Sequence, residues 1–158
     1  MYDGTQATEG EVLHLLTALV LVHKPEVVVE TGTFNGHGTQ AIQAGLKSND
    51  KGHLWTVENN AFMTRQYAEM ELDRVTFVDA DSLEWAEEAK PWIDLAFVDC
   101  GEPEHRLTVL RTLALKTRGI LALHDTSFYP ELEEMAIGAI GPPALSLPVV
   151  NGLLIWKV

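Results

Sequence analysis

Short apolar runs of the type that form buried strands alternate with helical segments along most of this 158-residue chain. The first run, EVVVE at residues 26–30, follows Pro25, which ends a helix predicted over residues 9–23. Four further runs of the same kind come after it, each preceded by a segment with helical periodicity. Because strands that alternate with helices form parallel sheets, this pattern predicts an α/β fold with helices on both faces and right-handed crossovers.

The residue patterns also set approximate bounds for the elements. Thr8 is predicted to cap the first helix, with Glu11 as its capping-box partner. The five parallel strands are predicted at 26–30, 53–59, 74–81, 93–100 and 118–125, and the later helices at 38–46, 61–72, 82–89, 103–116 and 130–140.

The end of the chain departs from the alternation and predicts an antiparallel hairpin. The apolar runs ALSLPVV and LLIWKV flank Asn151-Gly152, a dipeptide that favours a two-residue turn between strands. No linker, repeat or low-complexity segment interrupts the chain. We therefore expect a single domain over residues 1–158, with an N-terminal helix in residues 1–24 and a core in residues 25–158.

The charge of the chain restricts its partners. Asp and Glu outnumber Lys and Arg by 23 to 11, and the formal net charge is −12. Such a surface repels phosphate backbones, so we expect a small-molecule ligand and no nucleic acid. Cys100 is the only cysteine, which indicates a reducing compartment. With no signal-peptide pattern and no apolar run near the roughly 20 residues that span a bilayer, the sequence predicts a cytoplasmic protein without a membrane segment.

Acidic residues end all five predicted parallel strands. In open α/β sheets, ligands bind outside the carboxyl ends of the strands. A packing role would not concentrate carboxylates there, because each buried acid would need its own partner. We therefore expect a shared cleft formed by Glu30, Glu58, Asp79 with Asp81, Asp99, and His124 with Asp125.

The loop after the first strand, ETGTFNG, limits which ligand this cleft can take. The spacing of Gly32, Gly36 and Gly38 matches neither the dinucleotide fingerprint nor the phosphate loop. Glu30, two residues before the first glycine, disfavours a phosphate and favours a ligand with an ammonium group and a positive centre. Glycines 32 and 36 would let the backbone pack closely against that ligand.

The acid, one residue, glycine, three residues, glycine pattern resembles the first motif of the class I S-adenosylmethionine-dependent methyltransferases. The resemblance extends from Pro25 nearly to the end of the chain and implies a Rossmann-like three-layer sandwich with strand order 3-2-1-4-5-7-6. In this family the acid after strand two holds the ribose and the segment after strand three meets the adenine. The resemblance therefore implies a cofactor site made of Glu30, Gly32, Thr33, Phe34, Asn35, Gly36, Glu58, Asn59, Asp79, Ala80, Asp81 and Asp99.

The segments FVDCGEPEH and LALHDT resemble more narrowly the small-molecule O-methyltransferases that have a His-Asp pair after strand five. This resemblance implies that Asp99, His124 and His105 carry the chemistry. It also implies a divalent metal on Asp99 and Asp125, for which Mg²⁺ is better suited than Zn²⁺. Two positions depart from the pattern: Cys100 stands where glycine is common, and Thr126 stands at the third metal-ligand position.

The expected function is methyl transfer from S-adenosylmethionine to a small-molecule acceptor, at oxygen. A methyltransferase-like scaffold without turnover and an aminopropyl transferase on the same fold are the alternatives. Little sequence is left for a lid over the acceptor, so a homo-oligomer could complete that site. Plainer interpretations also stay open for individual residues: Asp79 or Asp81 as helix caps, and His105 as a solvent-facing helix residue.

Overall fold

The computed structural model describes residues 8–149 and 151–158. In this part of the chain, six helices and seven strands follow one another in nearly the predicted order. They are α1 (Gly10–His23), β1 (Val27–Thr31), α2 (His37–Asn49), β2 (His53–Glu58), α3 (Ala61–Ala68), β3 (Val75–Asp79), α4 (Ser82–Glu88), β4 (Ile93–Val98), α5 (Pro103–Ala114), β5 (Thr117–His124), α6 (Pro130–Ile140), β6 (Leu145–Leu147) and β7 (Leu153–Lys157). No helix of the described residues has the length and apolar character needed to cross a membrane.

The strands form one sheet in the order β3-β2-β1-β4-β5-β7-β6. The first five strands along the chain are parallel to one another, with β1 between β2 and β4. The last strand, β7, is antiparallel to both β5 and β6. This topology confirms the predicted fold class and strand order.

Helices cover both faces of the sheet and form the outer two of three layers. On one face, α1 and α2 pack on the sheet through Val12, Leu16, Ile42 and Leu46. On the other face, α4, α5 and α6 bury a second core that includes Ala86, Val109, Leu110, Leu113, Leu132 and Ala136. Alternate residues of β1 enter the two cores, with Val28 on the first face and Val29 on the second, as the period-2 geometry of a strand requires.

Two local predictions at the ends of the chain are wrong. Thr8 does not cap α1: the N-cap is Glu9, which makes no side-chain capping bond. The hairpin does not turn on two residues either, since Leu147 pairs with Leu153, six positions further along the chain. Pro148 cannot donate a ladder hydrogen bond, so β6 ends before it.

Candidate active site

The carboxyl ends of β1, β2, β4 and β5 open into one cleft of about 440 Å³. The cleft brings together most of the strand-end acids that the sequence singled out. Its acidic lining residues are Glu30, Glu58, Asp81, Asp99, Glu102 and Asp125. Asp79 is exposed at the end of β3, and neither it nor Ala80 lines the cleft. The acids of the sheet thus meet on the central strands, whereas the acid of the edge strand points away from the cleft.

The glycine loop between β1 and α2 packs against other parts of the protein. A Cβ on Gly32 would lie 2.3 Å from the carbonyl oxygen of Asp99, and one on Gly36 would lie 2.9 Å from the Tyr67 ring. Both glycines have positive φ angles, 89° and 75°. Contacts within the fold are therefore sufficient to explain the two missing side chains, and the close approach of a ligand to Gly32, which lines the cleft, stays a prediction. The residues between these glycines, Thr33, Phe34 and Asn35, line the cleft.

Glu30 is a buried acid at the base of the cleft, with 1% of its surface exposed. Its carboxylate accepts hydrogen bonds from the hydroxyls of Thr39 on α2 and Thr56 on β2. A Cβ on Gly38 would lie 2.2 Å from Glu30 Oε1, so this glycine makes room for the acid. Burial raises the pKa of Glu30 to about 8, despite the two hydroxyl donors. Among the described residues, no basic side chain forms an ion pair with it.

Glu58 ends β2 and lines the cleft beside the glycine loop. Its Oε2 accepts a hydrogen bond of 3.0 Å from the Phe34 amide, and its Oε1 one of 3.0 Å from the Asn60 amide. Phe34 has a left-handed backbone with a φ of 48°, which turns its amide toward the acid. Two backbone donors on separate loops therefore fix the orientation of this carboxylate.

Asp81 and His105 face each other across the cleft. Asp81 is the N-cap of α4, where its Oδ1 accepts from the Leu83 and Glu84 amides at 2.8 and 3.2 Å. The capping interpretation is therefore confirmed for Asp81, although its side chain also lines the cleft. His105 is partly buried on the first turn of α5, with Nε2 3.8 Å from Asp81 Oδ2. It is a cleft residue and not a purely solvent-facing one.

Asp99, His124 and Asp125 meet where β4 and β5 end. His124 Nδ1 lies 3.1 Å from Asp99 Oδ1 and 3.3 Å from Asp125 Oδ1. The imidazole is 1% exposed and lies behind the two carboxylates, outside the cleft lining. Burial lowers the pKa of His124, but Asp99, Asp125 and Glu9 outweigh it and raise that pKa to about 9. The neighbouring carboxylates therefore favour the charged form of the ring, and the catalytic role of His124 stays a prediction.

Arg106, on the first turn of α5, is the buried cation of this region. Its Nη1 donates to Asp125 Oδ2 at 2.7 Å and lies 3.6 Å from Asp99 Oδ1. The rest of the guanidinium is bound by three backbone carbonyls, those of Cys100 at 3.1 Å, Gly101 at 3.0 Å and His124 at 3.2 Å. The planar fork of arginine suits this arrangement, because several donors can be satisfied at once.

The segment before α1 also reaches the site. Glu9 Oε2 lies 2.7 Å from His124 Nε2, and Glu9 Oε1 accepts a hydrogen bond of 2.6 Å from the Asn151 amide. Thr8 donates to Asp99 Oδ2 at 3.2 Å and lines the cleft. These contacts join the start of the described chain to β5 and to the loop before β7.

Sequence reasoning missed Arg106, Thr8 and Glu9. For Arg106 a signal existed: it stands three, four and seven residues before Val109, Leu110 and Leu113, which are the buried face of α5. An arginine at a core-facing position of a helix needs a buried partner. For Glu9 no local signal exists, because its partner His124 is 115 residues away along the chain.

Asp99, His124 and Asp125 each offer a ligand atom within 4.8 Å of the others, but Arg106 is paired with both carboxylates, so the site does not fit the divalent metal that the family resemblance implies. Mg²⁺ requires an octahedron of oxygen ligands at about 2.0–2.1 Å. Asp125 Oδ2 is bound instead by the Arg106 guanidinium, and Asp99 Oδ1 faces both Arg106 and His124. Thr126, at the predicted third ligand position, is buried and does not line the cleft. Arg106 therefore already pairs with the carboxylates that would hold the ion.

Aromatic residues form the outer wall of the cleft next to Arg106. Phe128, which is 54% exposed, packs edge-on against Tyr129 with ring centroids 4.8 Å apart. The Arg106 guanidinium carbon lies 5.9 Å from the centre of the Tyr129 ring. Both aromatic residues line the cleft. The wall therefore offers an apolar contact surface at the mouth, next to the carboxylates of Asp99 and Asp125.

Comparisons with known proteins agree with this geometry. A family model described as a methyltransferase domain matches residues 29–126, which is more than half of the chain. No match was found among curated protein sequences.

Solved structures give the same fold at low sequence identity. The S-adenosylhomocysteine-bound methyltransferase PaMTH1 of Podospora anserina is 17% identical, with a TM-score of 0.78 over 100% of this chain and 83% of that one. A candidate O-methyltransferase from Klebsiella pneumoniae is 20% identical, with a TM-score of 0.77 over 97% and 82%. Spermidine synthase from Thermotoga maritima is 13% identical, with a TM-score of 0.66 over 93% and 57%. On the family match, the chain belongs to the methyltransferase domain family, and its strand order is that of the class I S-adenosylmethionine-dependent methyltransferases.

Proposed function

We propose that the chain binds S-adenosylmethionine in this cleft and transfers its methyl group to an oxygen atom of a small-molecule acceptor. The observation that carries the proposal is the convergence of the acids that end β1, β2 and β4 on one cleft beside the glycine loop. Glu30 has no cationic partner among the described residues. A cofactor with an ammonium group and a sulfonium centre supplies the positive charge that this part of the cleft lacks.

Each part of the cofactor has a counterpart in the cleft. The methionine ammonium lies toward Glu30, and the ribose hydroxyls bind Glu58, because one carboxylate can accept two hydroxyl protons. The adenine lies near Asp81 and Ser82, which line the cleft at the start of α4. The backbone of residues 33–35 forms the floor beneath the methionine. Asp79 and Ala80 have no contact role in this arrangement, because they lie outside the lining.

The transfer is an in-line displacement at the methyl carbon. The acceptor oxygen forms the new bond to carbon while the carbon–sulfur bond breaks, and S-adenosylhomocysteine leaves as a neutral thioether. The acceptor proton passes to a carboxylate of the Asp99–Asp125 pair or to His105, which all line the cleft. Alignment of the two reactants can contribute roughly 7–11 kcal/mol to such a reaction. His124 does not touch the reactants in this scheme and acts as a positioning residue for the two carboxylates.

The surroundings of the acceptor favour a neutral aromatic alcohol. Phe128 and Tyr129 offer ring surfaces for an aromatic acceptor at the mouth of the cleft. The six carboxylic residues of the lining disfavour an anionic acceptor such as a carboxylic acid. A phenol or catechol meets both conditions, and its hydroxyl can reach the carboxylates next to the aromatic wall.

The cofactor part of the proposal is tested by calorimetric titration with S-adenosylhomocysteine. The wild type is expected to bind one equivalent, and Glu58→Ala is expected to weaken binding by about 100-fold, since two charge-assisted hydrogen bonds are lost. Glu134→Ala, an exposed acid on α6, is the matched control and should bind like the wild type. Equal affinity of Glu58→Ala and the control would overturn the assignment of the ribose site.

The reaction is tested by following S-adenosylhomocysteine release from S-adenosylmethionine with a panel of phenols and catechols. Turnover with a phenol and none with the matching benzoic acid is the expected result. Binding of the cofactor without turnover on any acceptor would instead support the scaffold alternative. Tighter binding of decarboxylated S-adenosylmethionine than of S-adenosylmethionine would support aminopropyl transfer.

A further inference from the structure

We propose that Arg106 is the built-in cation of this site, and that it takes the place a divalent metal would have between Asp99 and Asp125. The consequence for turnover rests on the proposed function: methyl transfer by this chain is then independent of metal. The central claim, that the carboxylate pair does not accept a metal while Arg106 is present, is independent of that function and can be measured without it.

The position of Arg106 makes it a fixed part of the site. It is 5% exposed, and its aliphatic stem belongs to the face of α5 that buries Val109, Leu110 and Leu113 in the core. The guanidinium bridges two loops, since it binds the carbonyls of Cys100 and Gly101 after β4 and that of His124 at the end of β5. A side chain held at both ends in this way cannot swing out to admit an ion without breaking these bonds.

The charged contacts of Arg106 use the atoms that a metal would need. Nη1 is 2.7 Å from Asp125 Oδ2 and 3.6 Å from Asp99 Oδ1. The remaining oxygen of Asp125, Oδ1, lies 3.3 Å from His124 Nδ1. Asp125 has a left-handed backbone with a φ of 63°, which directs its carboxylate toward these nitrogen atoms. One oxygen of each carboxylate therefore already faces the positively charged guanidinium of Arg106.

A metal and Arg106 exclude each other on electrostatic grounds. A divalent cation bound to both carboxylates would lie within a few ångströms of the guanidinium, which keeps its charge at all ordinary pH values. The repulsion acts between mostly buried groups, so salt screens it less than it would at the surface. The competing interpretation is that Arg106 only ties the loops together and that the carboxylates could still take up a metal. The two interpretations differ in what happens when the charge alone is removed.

The test is Mn²⁺ binding, followed by the loss of the free-ion signal in electron paramagnetic resonance. Four proteins are compared: the wild type, Arg106→Gln, Arg106→Lys and Arg118→Gln. Arg118 pairs with Asp94 near the opposite ends of the strands and serves as the matched control for removal of an arginine charge. Circular dichroism establishes that each variant is folded.

The wild type, Arg106→Lys and Arg118→Gln are expected to leave the Mn²⁺ signal unchanged up to about 1 mM. Arg106→Gln is expected to bind one Mn²⁺ at least about tenfold more tightly than the wild type, because the two carboxylates lose their cation. That site should disappear when Asp125→Asn is added to Arg106→Gln.

Two results would overturn the proposal. One is stoichiometric Mn²⁺ binding by the wild type that Asp125→Asn removes. The other is a folded Arg106→Gln that binds no more Mn²⁺ than the control, which would leave Arg106 a purely structural role. If Arg106→Gln does not fold, Arg106→Lys decides: Mn²⁺ binding by this variant, which keeps the charge, contradicts the proposal. If S-adenosylhomocysteine did not bind, the proposed function would fail, but none of these Mn²⁺ results would change. The failure of the proposed function and the failure of the Arg106 proposal can therefore be told apart.

Discussion

The two halves of the cleft neutralise their acids in different ways. In the half formed by β1, β2 and the start of α4, uncharged groups donate to the acids: threonine hydroxyls to Glu30, and backbone amides to Glu58 and Asp81. In the half formed by β4 and β5, the donors are charged, and Arg106 and His124 pair with Asp99 and Asp125. Among the described residues, Glu30 therefore has no cationic partner, whereas Asp99 and Asp125 are paired within the protein.

This difference suits the two halves to different tasks: one attracts a charged ligand, and the other holds side chains in a fixed arrangement. An unbalanced acid such as Glu30 favours an external cation, because a positive ligand supplies the counter-charge that the fold does not. A balanced ionic cluster exerts little net attraction, but its many contacts hold the side chains in one arrangement. The first half is thus suited to recognise a positively charged cofactor, and the second to hold an acceptor in place. The predictions below test this division.

The largest effect is expected from removal of the internal cation. Arg106→Ala should lower the free energy of unfolding by about 3–5 kcal/mol, because it leaves Asp125 and several buried carbonyl groups without their partner. The measurement is urea-induced unfolding at pH 7. Arg118→Ala is the matched control. Loss of its half-exposed ion pair with Asp94 should lower the free energy of unfolding by less than about 1 kcal/mol. Equal losses in the two variants would show that the β4–β5 half does not depend on its cation.

An effect of opposite sign is expected in the other half. The folded-state pKa of Glu30 is about 8, above its ordinary value of 4.5. Its contribution to stability is therefore fully present below pH 4.5 and is lost as the pH rises through 8. Glu30→Gln cannot ionise, so the variant should match the wild type near pH 4 and exceed its free energy of unfolding by roughly 4–5 kcal/mol at pH 9.

Urea-induced unfolding of both proteins between pH 4 and pH 9 measures this difference. A difference that does not change with pH would contradict the assignment. The same acid should report on the cofactor. If the ligand ammonium lies near Glu30, binding at pH 7 releases a proton, which appears as a buffer-dependent heat in calorimetry for the wild type and not for Glu30→Gln.

The fold could be predicted because its signals are local. Each strand has its own β-branched or apolar run and each helix its own period, so the element order needed no knowledge of distant contacts. The position of the cleft followed from the same pattern, because parallel strands end at one edge. Where the turn geometry depended on more distant residues, the prediction was wrong, as in the connection between Leu147 and Leu153.

The charge balance of the site could not be predicted in the same way. The acids are visible in the sequence because they follow the strands, but their partners are not next to them along the chain. Arg106 belongs to a helix face that pattern analysis treats as apolar, and Glu9 meets His124 across 115 residues. These distant partners decide whether the Asp125 carboxylate can bind a metal ion or instead pairs with an arginine. Residue pattern alone therefore left the metal open.

A smaller effect is expected at the start of α1. Glu9→Ala should lower the free energy of unfolding by about 2 kcal/mol, because the buried His124 Nε2 and the Asn151 amide lose their shared acceptor. Glu11→Ala, an exposed acid one turn further on, is the matched control and should change it by less than about 0.5 kcal/mol. Urea-induced unfolding measures both. A loss in Glu9→Ala no larger than that of the control would remove the start of the chain from the ionic cluster of the β4–β5 half.

The smallest effect is expected at Asp81, where the two halves meet. Asp81→Ala removes the N-cap of α4 and should cost about 1 kcal/mol in urea-induced unfolding. Asp81→Asn keeps an oxygen acceptor for the Leu83 and Glu84 amides, so it should cost much less, since uncharged donors do not require a charge. Asp125→Asn, at an acid held by a cation, should be far more damaging than Asp81→Asn. If the two asparagine variants are equally stable, the distinction between amide-held and cation-held acids is wrong. A larger loss at position 125 would mean that the β4–β5 half depends on charge and the β1–β2 half on hydrogen-bond geometry.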